Sequence, residues 1–260
     1  MKKKKRILII GESCRDVFVY CDTIRLAPDI PVPVLHVTKQ TQNPGMAKNV
    51  ERNVKALRQW CDIATNKNWR AITKTRFMHE KTPQAFFRVD SKHSYPRVNV
   101  KKIPLKKYDL VGISDYNKGF LAHDDIRYIC KNHPSVFVDT KKRIGRFLDN
   151  AHYIKINKFE YDHSLPIPRN LDRKIICTRG GEGVSFRGKT YGVKSVEVKD
   201  VTGAGDSFFA ALLVRFAETE DIKEAIAFAN LCASQVVKRK GVSVIKRPKT
   251  IPETGNNSQR

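Results

Sequence analysis

An α/β domain built on a largely parallel sheet is what this sequence predicts, and three observations predict it. Four apolar runs each end in a cluster of polar, charged or glycine residues, at Ser114–Gly119, Asp139–Lys141, Asn157–Glu160 and Thr178–Gly183. Stretches with helical spacing, including Met46–Leu57, Asp124–Lys131 and Asp221–Lys240, are interspersed with those runs. At 260 residues and 40% hydrophobic content, the chain can bury a substantial core. If the strands are parallel, the polar clusters line one rim, which is where ligand chemistry collects in such folds.

The elements follow in order. Arg6–Ile10 is a continuous apolar strand ending at Gly11, as expected of a strand covered on both faces. Val17–Cys21 is a second strand-like run. Asp16, placed beyond the end of the first strand, is a candidate ligand contact, and a turn aspartate fits equally well. Arg25–Val34 carries three prolines, which suits an edge or projecting ribbon rather than a central strand. Asn43-Pro44-Gly45 reads as a turn into the helix 46–57, so Lys48 and Asn49 fall in a first helical turn that can grip a polar ligand. Trp60–Arg70 has no assignable pattern. Thr73–Phe77 and Ala85–Val89 read as a hairpin around Lys81-Thr82-Pro83. Strands are expected at Asp109–Ile113, Val136–Val138, Tyr153–Ile156, Lys174–Cys177 and Tyr191–Val198. Phe208–Val214 is apolar nearly all round and reads as a helix buried on both sides. Asp221–Lys240 has one apolar face and ends in Lys238-Arg239-Lys240 and Gly241, a good helix C-terminus. Glu253–Arg260 is polar and expected to be disordered. No repeat or linker divides the chain.

Composition narrows the partners. The formal charge of +24 and a pI near 9.9 favour acidic ones such as nucleotides or sugar phosphates. Because the basic residues are spread along the whole chain, a dedicated nucleic-acid site is not the expectation. The apolar run at Ile7–Ile10 is too short for a signal-peptide core or membrane span. The six cysteines form no CxxC pair, and several lie inside apolar runs. Buried, reduced thiols in a cytoplasmic protein account for them best.

The chemistry is best placed at Asp200-Val201-Thr202-Gly203-Ala204-Gly205-Asp206-Ser207. A glycine-rich turn there feeds a helix N-terminus, whose amides and dipole favour an anion. A carboxylate beside such a hole repels phosphate, so Asp206 makes sense as a general base that takes a hydroxyl proton during phosphoryl transfer. A glycine turn with aspartate opening a helix fits the same local pattern, and the stretch alone does not separate the two.

Taken together, these residues resemble the ribokinase-like carbohydrate kinases. The stretch 200–207 is similar to that family's C-terminal signature. Gly11 and Asp16, Pro44-Gly45 and Asn49, Asn157-x-x-Glu160, Thr178-Arg179-Gly180-Gly181-x-Gly183, Asn230 and Lys240-Gly241 follow in the family's order. Within the family, residues 25–34, 114–119, 73–77 and Arg88-Val89-Asp90 look most like the heptose-7-phosphate 1-kinases of ADP-heptose synthesis. The resemblance implies a three-layer α/β/α sandwich with a mostly parallel sheet and a small β lid. It implies one kinase domain over residues 1–245, with the lid from about 16–40 and 73–100, and a tail at 246–260. It also implies transfer of the ATP γ-phosphoryl group to a sugar hydroxyl, with Mg²⁺ bridging the phosphates.

Carried over by position, Asp206 becomes the base and Gly203, Ala204 and Gly205 the anion hole. Asp16, Gly45, Lys48, Asn49, Arg88, Asp90 and Lys141 fall on the acceptor side, with Arg88 and Lys141 suited to a phosphate already on the sugar. Asn157, Thr178, Arg179, Gly181, Gly183 and Asn230 fall along the nucleotide. Asn157 and Glu160 would organise Mg²⁺ through water, which suits an ion that keeps part of its hydration shell. Asp200 and Thr202 resemble one side of a monovalent-cation site, K⁺ where members use one. The resemblance further implies a homodimer clasped through the lid, and neither a nucleic acid nor a membrane as partner.

The sequence also departs from the pattern. Met46 stands where the family has a second glycine, Lys48 replaces a small residue, and the segment 60–73 is short. Only a proline-rich stretch is expected between Glu160 and the next strand, where relatives carry helices. The alternatives are a kinase of ribose, a hexose or a nucleoside, and a non-catalytic, basic, nucleic-acid-binding descendant of the fold.

Overall fold

The computed structural model describes residues 4–82 and 84–248. The first strand, β1 (Arg6–Gly11), is buried on both faces, and the next apolar runs join it edge to edge. The remaining strands of that sheet are β4 (Trp60–Ala64), β7 (Leu110–Asp115), β8 (Val136–Thr140), β9 (Tyr153–Asn157), β10 (Ile175–Thr178), β11 (Val184–Phe186) and β12 (Lys189–Tyr191). They stand in the order β12-β11-β10-β9-β8-β7-β1-β4. From β4 to β10 all neighbours are parallel, and β11 and β12 close one edge as antiparallel strands. The polar ends of β7, β8, β9 and β10 therefore share one rim, as expected from the sequence.

Helices α1 (Ala47–Ala56), α5 (Ala204–Thr219) and α6 (Ile222–Val236) cover one face of the sheet. The shorter α2 (His123–Asn132), α3 (Lys158–Ser164) and α4 (Arg169–Asp172) lie with the other core cluster. Helix α5 is seated unusually close to the sheet. A Cβ on Gly112 of β7 would fall 2.6 Å from the Leu213 side chain, so the missing side chain lets the helix approach. That approach fixes where the first turn of α5 meets the strand ends. Among the described residues, no helix is long and apolar enough to cross a membrane.

The second sheet is the lid, in the order β3-β2-β5-β6, from β2 (Ser13–Leu26), β3 (Pro33–Met46), β5 (Thr73–His79) and β6 (Ala85–Asp90). The proline-rich stretch 25–34 is the tip of the β2–β3 hairpin, with Pro33 opening the edge strand β3, a place that tolerates proline. Several expectations change. Asn43-Pro44-Gly45 is not a turn but the end of β3, paired with Asp16, Arg15 and Cys14 of β2. Proline is tolerated because β3 is an edge strand. Asp16 accordingly lies inside a strand rather than in a loop. Residues 192–198 are not strand, since β12 stops at Tyr191, and α6 stops at Val236 rather than Lys240. The stretch after Asn157 is helical, because Asn157 and Glu160 build a capping box that starts α3.

Lys81 and Thr82 sit in the expected hairpin connection, while Pro83 and residues 249–260, most of the anticipated tail, lie outside the described residues. Arg247 is tied to the body, donating to the Leu57 carbonyl at 3.3 Å and to Glu218 at 2.7 Å.

Candidate active site

Gly203 caps α5 in the left-handed region, at φ 77°, a conformation glycine adopts freely. A Cβ there would fall 2.9 Å from Nδ2 of Asn49, so the turn and the first turn of α1 need a glycine between them. This turn delivers Asp206 to the rim of the sheet, where it is only 6% exposed. Asn49 Nδ2 donates to Asp206 Oδ2 at 3.0 Å, and the Tyr116 hydroxyl donates to Oδ1 at 2.5 Å. Burial raises the Asp206 pKa from 3.8 to about 6. The hydrogen bonds from Tyr116 and Asn49 oppose that rise, Asp139 adds to it, and Lys155 again opposes it.

The first amides of a helix have no intrahelical acceptor, and the dipole makes their end positive. One of the three expected here is occupied, since Ala204 N donates to the Val201 carbonyl at 3.1 Å. Gly205 faces a further positive group. A Cβ on it would lie 3.2 Å from Nζ of Lys155, which is 4% exposed and donates to Asp139 at 2.9 Å. A helix N-terminus, a buried ammonium and a carboxyl whose pKa burial raises to about 6 thus converge at one point. Such an arrangement can hold a phosphate and remove a proton beside it.

The acceptor-side residues are engaged with one another. Asp16 receives Arg76 at 2.8 Å. Gly45 lets β3 pass over Asp16, because a Cβ there would fall 2.2 Å from its Oδ2. Arg88 and Asp90 form a bidentate pair, both contacts 2.6 Å, on the exposed face of β6. Lys141 pairs with Glu160 and lies 5.7 Å from the Tyr116 ring, which Lys74 also approaches at 5.1 Å. Burial works against the Lys141 ammonium, yet Asp139, Glu160 and Asp206 outweigh it and hold its pKa above the usual value. Lys48 turns to Glu51 at 2.7 Å and sits 5.8 Å from Trp69.

Several nucleotide-side residues have structural partners. Gly183, at φ 90°, is required by the Tyr191 carbonyl, which a Cβ would meet at 2.1 Å. Asn230 donates to that same carbonyl at 2.9 Å. Arg179 pairs with Glu182 at 2.9 Å, and Thr178 and Gly181 lie at the end of β10 and in the turn after it. Asp200 accepts from Thr202 N at 2.8 Å and Gly241 N at 2.9 Å, stitching the glycine turn to the segment after α6. Among the described residues there is no cluster of three or more His, Cys, Asp or Glu that could hold a metal. The Glu160 carboxylate is shared between Lys141 and the Asn157 amide, so its chemistry suits a hydrated Mg²⁺ held on phosphates and not a direct ligand.

The structure thus brings Asn49, Gly203, Gly205 and Asp206 together, links Lys141 to Glu160, and sets Arg88 and Asp90 on the lid. Sequence reasoning set Tyr116 and Asp139 in the rim clusters without giving either a role, and missed Lys155, Lys74 and Arg76 as site residues. Lys155 left a signal, being a lysine in the otherwise apolar run Tyr153–Ile156.

Comparison with known proteins agrees with this geometry. Residues 122–249 match the pattern of the pfkB family carbohydrate kinases. Over that stretch the chain carries a pfkB-family carbohydrate kinase domain. Kinases of the pfkB family are phosphotransferases with an alcohol group as acceptor. Over 91% of its length the chain is 27% identical to the bifunctional protein HldE of Helicobacter pylori strain G27, and it spans 64% of that relative. Among solved structures, a ribokinase from Thermotoga maritima superposes with a TM-score of 0.70 at 17% identity, covering 92% of this chain and 94% of the other. An Arabidopsis thaliana ribokinase complexed with ribose and ATP gives 0.65 at 14% identity, covering 92% and 95%. The three-layer ribokinase-like fold with its lid is therefore the fold of this chain.

Proposed function

We propose that this chain transfers the γ-phosphoryl group of ATP to a hydroxyl of a sugar phosphate, with heptose 7-phosphate phosphorylated at O1 as the leading acceptor. The observation that carries the reading is Asp206, a buried carboxyl with a pKa near 6 in the first turn of a glycine-capped helix. Asp206 takes the proton of the acceptor hydroxyl, whose oxygen bonds to the γ-phosphorus as the bond to the β–γ bridging oxygen breaks and ADP leaves. The amides of Gly203 and Gly205, with the Lys155 ammonium, hold the transferring group. Asp16, Asn49 and Gly45 border the sugar, and Lys48, Arg88, Asp90 and Lys141 form its polar surround. Asn157, Thr178, Arg179, Gly181, Gly183 and Asn230 flank the nucleotide. Asn157 and Glu160 would hold a bound Mg²⁺ through its waters, and the chemistry that ion supplies is neutralisation of phosphate charge. Asp200 and Thr202 would border a K⁺ where one is used.

The heptose assignment rests on the resemblance of residues 25–34, 73–77, 88–90 and 114–119 to that branch, and on relatives named HldE. Asp206→Asn should lower phosphorylation of heptose 7-phosphate by about 10²–10⁴-fold while calorimetry still detects ADP binding. An Asn variant that turns over like the parent removes the base from the mechanism. Ribose, fructose 6-phosphate and adenosine, compared by ADP release, decide the acceptor.

A further inference from the structure

The carboxyl of Asp206 is fully engaged before any acceptor arrives. Asn49 donates to one oxygen at 3.0 Å and the Tyr116 phenol to the other at 2.5 Å. The backbone that carries Tyr116 is held firmly, while its side chain can still rotate. Its amide donates to the buried Glu12 carboxylate at 2.9 Å, and the Lys118 amide donates to the other Glu12 oxygen at 2.8 Å. Asn117 between them takes a left-handed conformation, at φ 56°, which asparagine tolerates. The ring packs with Cys14, Met46 and Ile72 and has the Lys74 and Lys141 ammoniums 5.1 and 5.7 Å from its centre. A phenol on so fixed a backbone is an aimed donor, and it stands where a hydroxyl must stand to lose its proton to Asp206.

We propose that Tyr116 is a plug on the catalytic base, occupying the hydroxyl position until the acceptor displaces it and thereby keeping water from attacking ATP. The inference rests on the assignment of Asp206 as base. Without the plug, a water gives its proton to Asp206, its oxygen bonds to the γ-phosphorus, the bond to the bridging oxygen breaks, and ADP and phosphate leave. The acceptor replaces one O–H donor to the carboxylate with another, so displacement leaves no charged oxygen unpaired. Basic groups around the site attract ATP with or without acceptor, which makes such a safeguard useful.

The test compares parent, Tyr116→Phe and Asp206→Asn by ADP release from Mg·ATP, with and without heptose 7-phosphate. The Phe variant should raise the ratio of acceptor-free to acceptor-dependent ADP release about tenfold, the lower end of what a hydrogen bond to a charged group is worth. The acid limb of its acceptor-free rate should also move to higher pH, since the phenol no longer favours the carboxylate. The other groups facing that carboxylate, Asn49, Asp139, Lys141 and Lys155, are unchanged, and a purely structural tyrosine would leave the limb where it is. If the Phe protein does not fold, Tyr116→Met supplies the same comparison with an apolar filler. An inert Asp206→Asn together with an unchanged ratio in the Tyr116 variants overturns the plug alone. An Asp206→Asn protein as active as the parent overturns the base assignment, and the plug with it.

Discussion

At the residue scale, the Lys155–Asp139 pair separates stability from chemistry. Both side chains are under 10% exposed, on adjacent registered strands. Lys155→Met leaves the Asp139 charge buried and unpaired, at a cost of about 3–5 kcal/mol. Adding Asp139→Asn should restore most of that loss in a denaturant melt. Turnover should stay down by about 10²-fold, since the ammonium beside Gly205 is still missing. Turnover that recovers with stability would assign Lys155 a structural role only. Asp206 carries a stability signature of the opposite sign. Its folded pKa, about 6, lies above the unfolded 3.8, so the folded protein binds the proton more tightly. The native state is therefore penalised as pH rises from 3.8 to 6, fully above that window and not below it. Asp206→Asn should stabilise by about 3 kcal/mol at pH 8 and by nothing near pH 3.5, read as the shift in melting temperature at the two pH values.

At the element scale, the close passage of β3 over β2 at Gly45 makes a prediction of its own. A Cβ there would strike both Oδ2 and Cγ of Asp16, and Asp16 is anchored by Arg76. Gly45→Ala must displace that carboxylate, so the KM for the acceptor should rise about tenfold while the KM for ATP moves little. Equal changes in the two would argue that the substitution disturbs the fold instead. The elements that were legible in the sequence are those with continuous apolar runs, β1 and β7 to β10, and the all-round apolar helix α5. Those missed turn on interactions between distant segments. Pro44 looks like a turn until β3 is known to be an edge, and α3 looks like a proline-rich stretch until Asn157 and Glu160 cap each other. The site shows the same division. The glycine turn and Asp206 are contiguous and legible, whereas Tyr116, just past the end of β7, and Lys155, within β9, reach them from far away in sequence. Gly183 and Asn230 look like ligand residues from their motifs, and in the structure Asn230 donates to the Tyr191 carbonyl while Gly183 passes close beneath it.

At the scale of the whole molecule, charge and the lid lead to different measurements. The +24 charge attracts polyphosphate generally, and salt screens that attraction over a Debye length of about 10 Å at 0.1 M. A kinase with a basic surface should show a KM for ATP that rises only a few-fold between 50 and 200 mM salt. A protein that tracks a nucleic-acid backbone would lose about 10³-fold or more in a filter-binding titration over the same range. The lid concentrates exposed apolar surface. Ile24 is 77% exposed, Val37 62%, Leu26 59% and Ile30 55%, with Phe87 and Val89 about half exposed on β6. The lid also has two free edges, β3 and β6, and an edge strand with apolar side chains is a template for another chain. The partner of matching chemistry is a second copy's lid, which would cover both apolar patches across a two-fold axis. The parent should therefore sediment as a dimer at micromolar concentration, and Ile24→Asp with Val37→Asp should make it a monomer. Because Asp16 and Arg76 sit on strands of the same sheet, the monomer should also bind acceptor more weakly, with ATP affinity kept. A parent that sediments as a monomer at 100 µM would leave the lid as a single-chain cover and remove the clasp from the account.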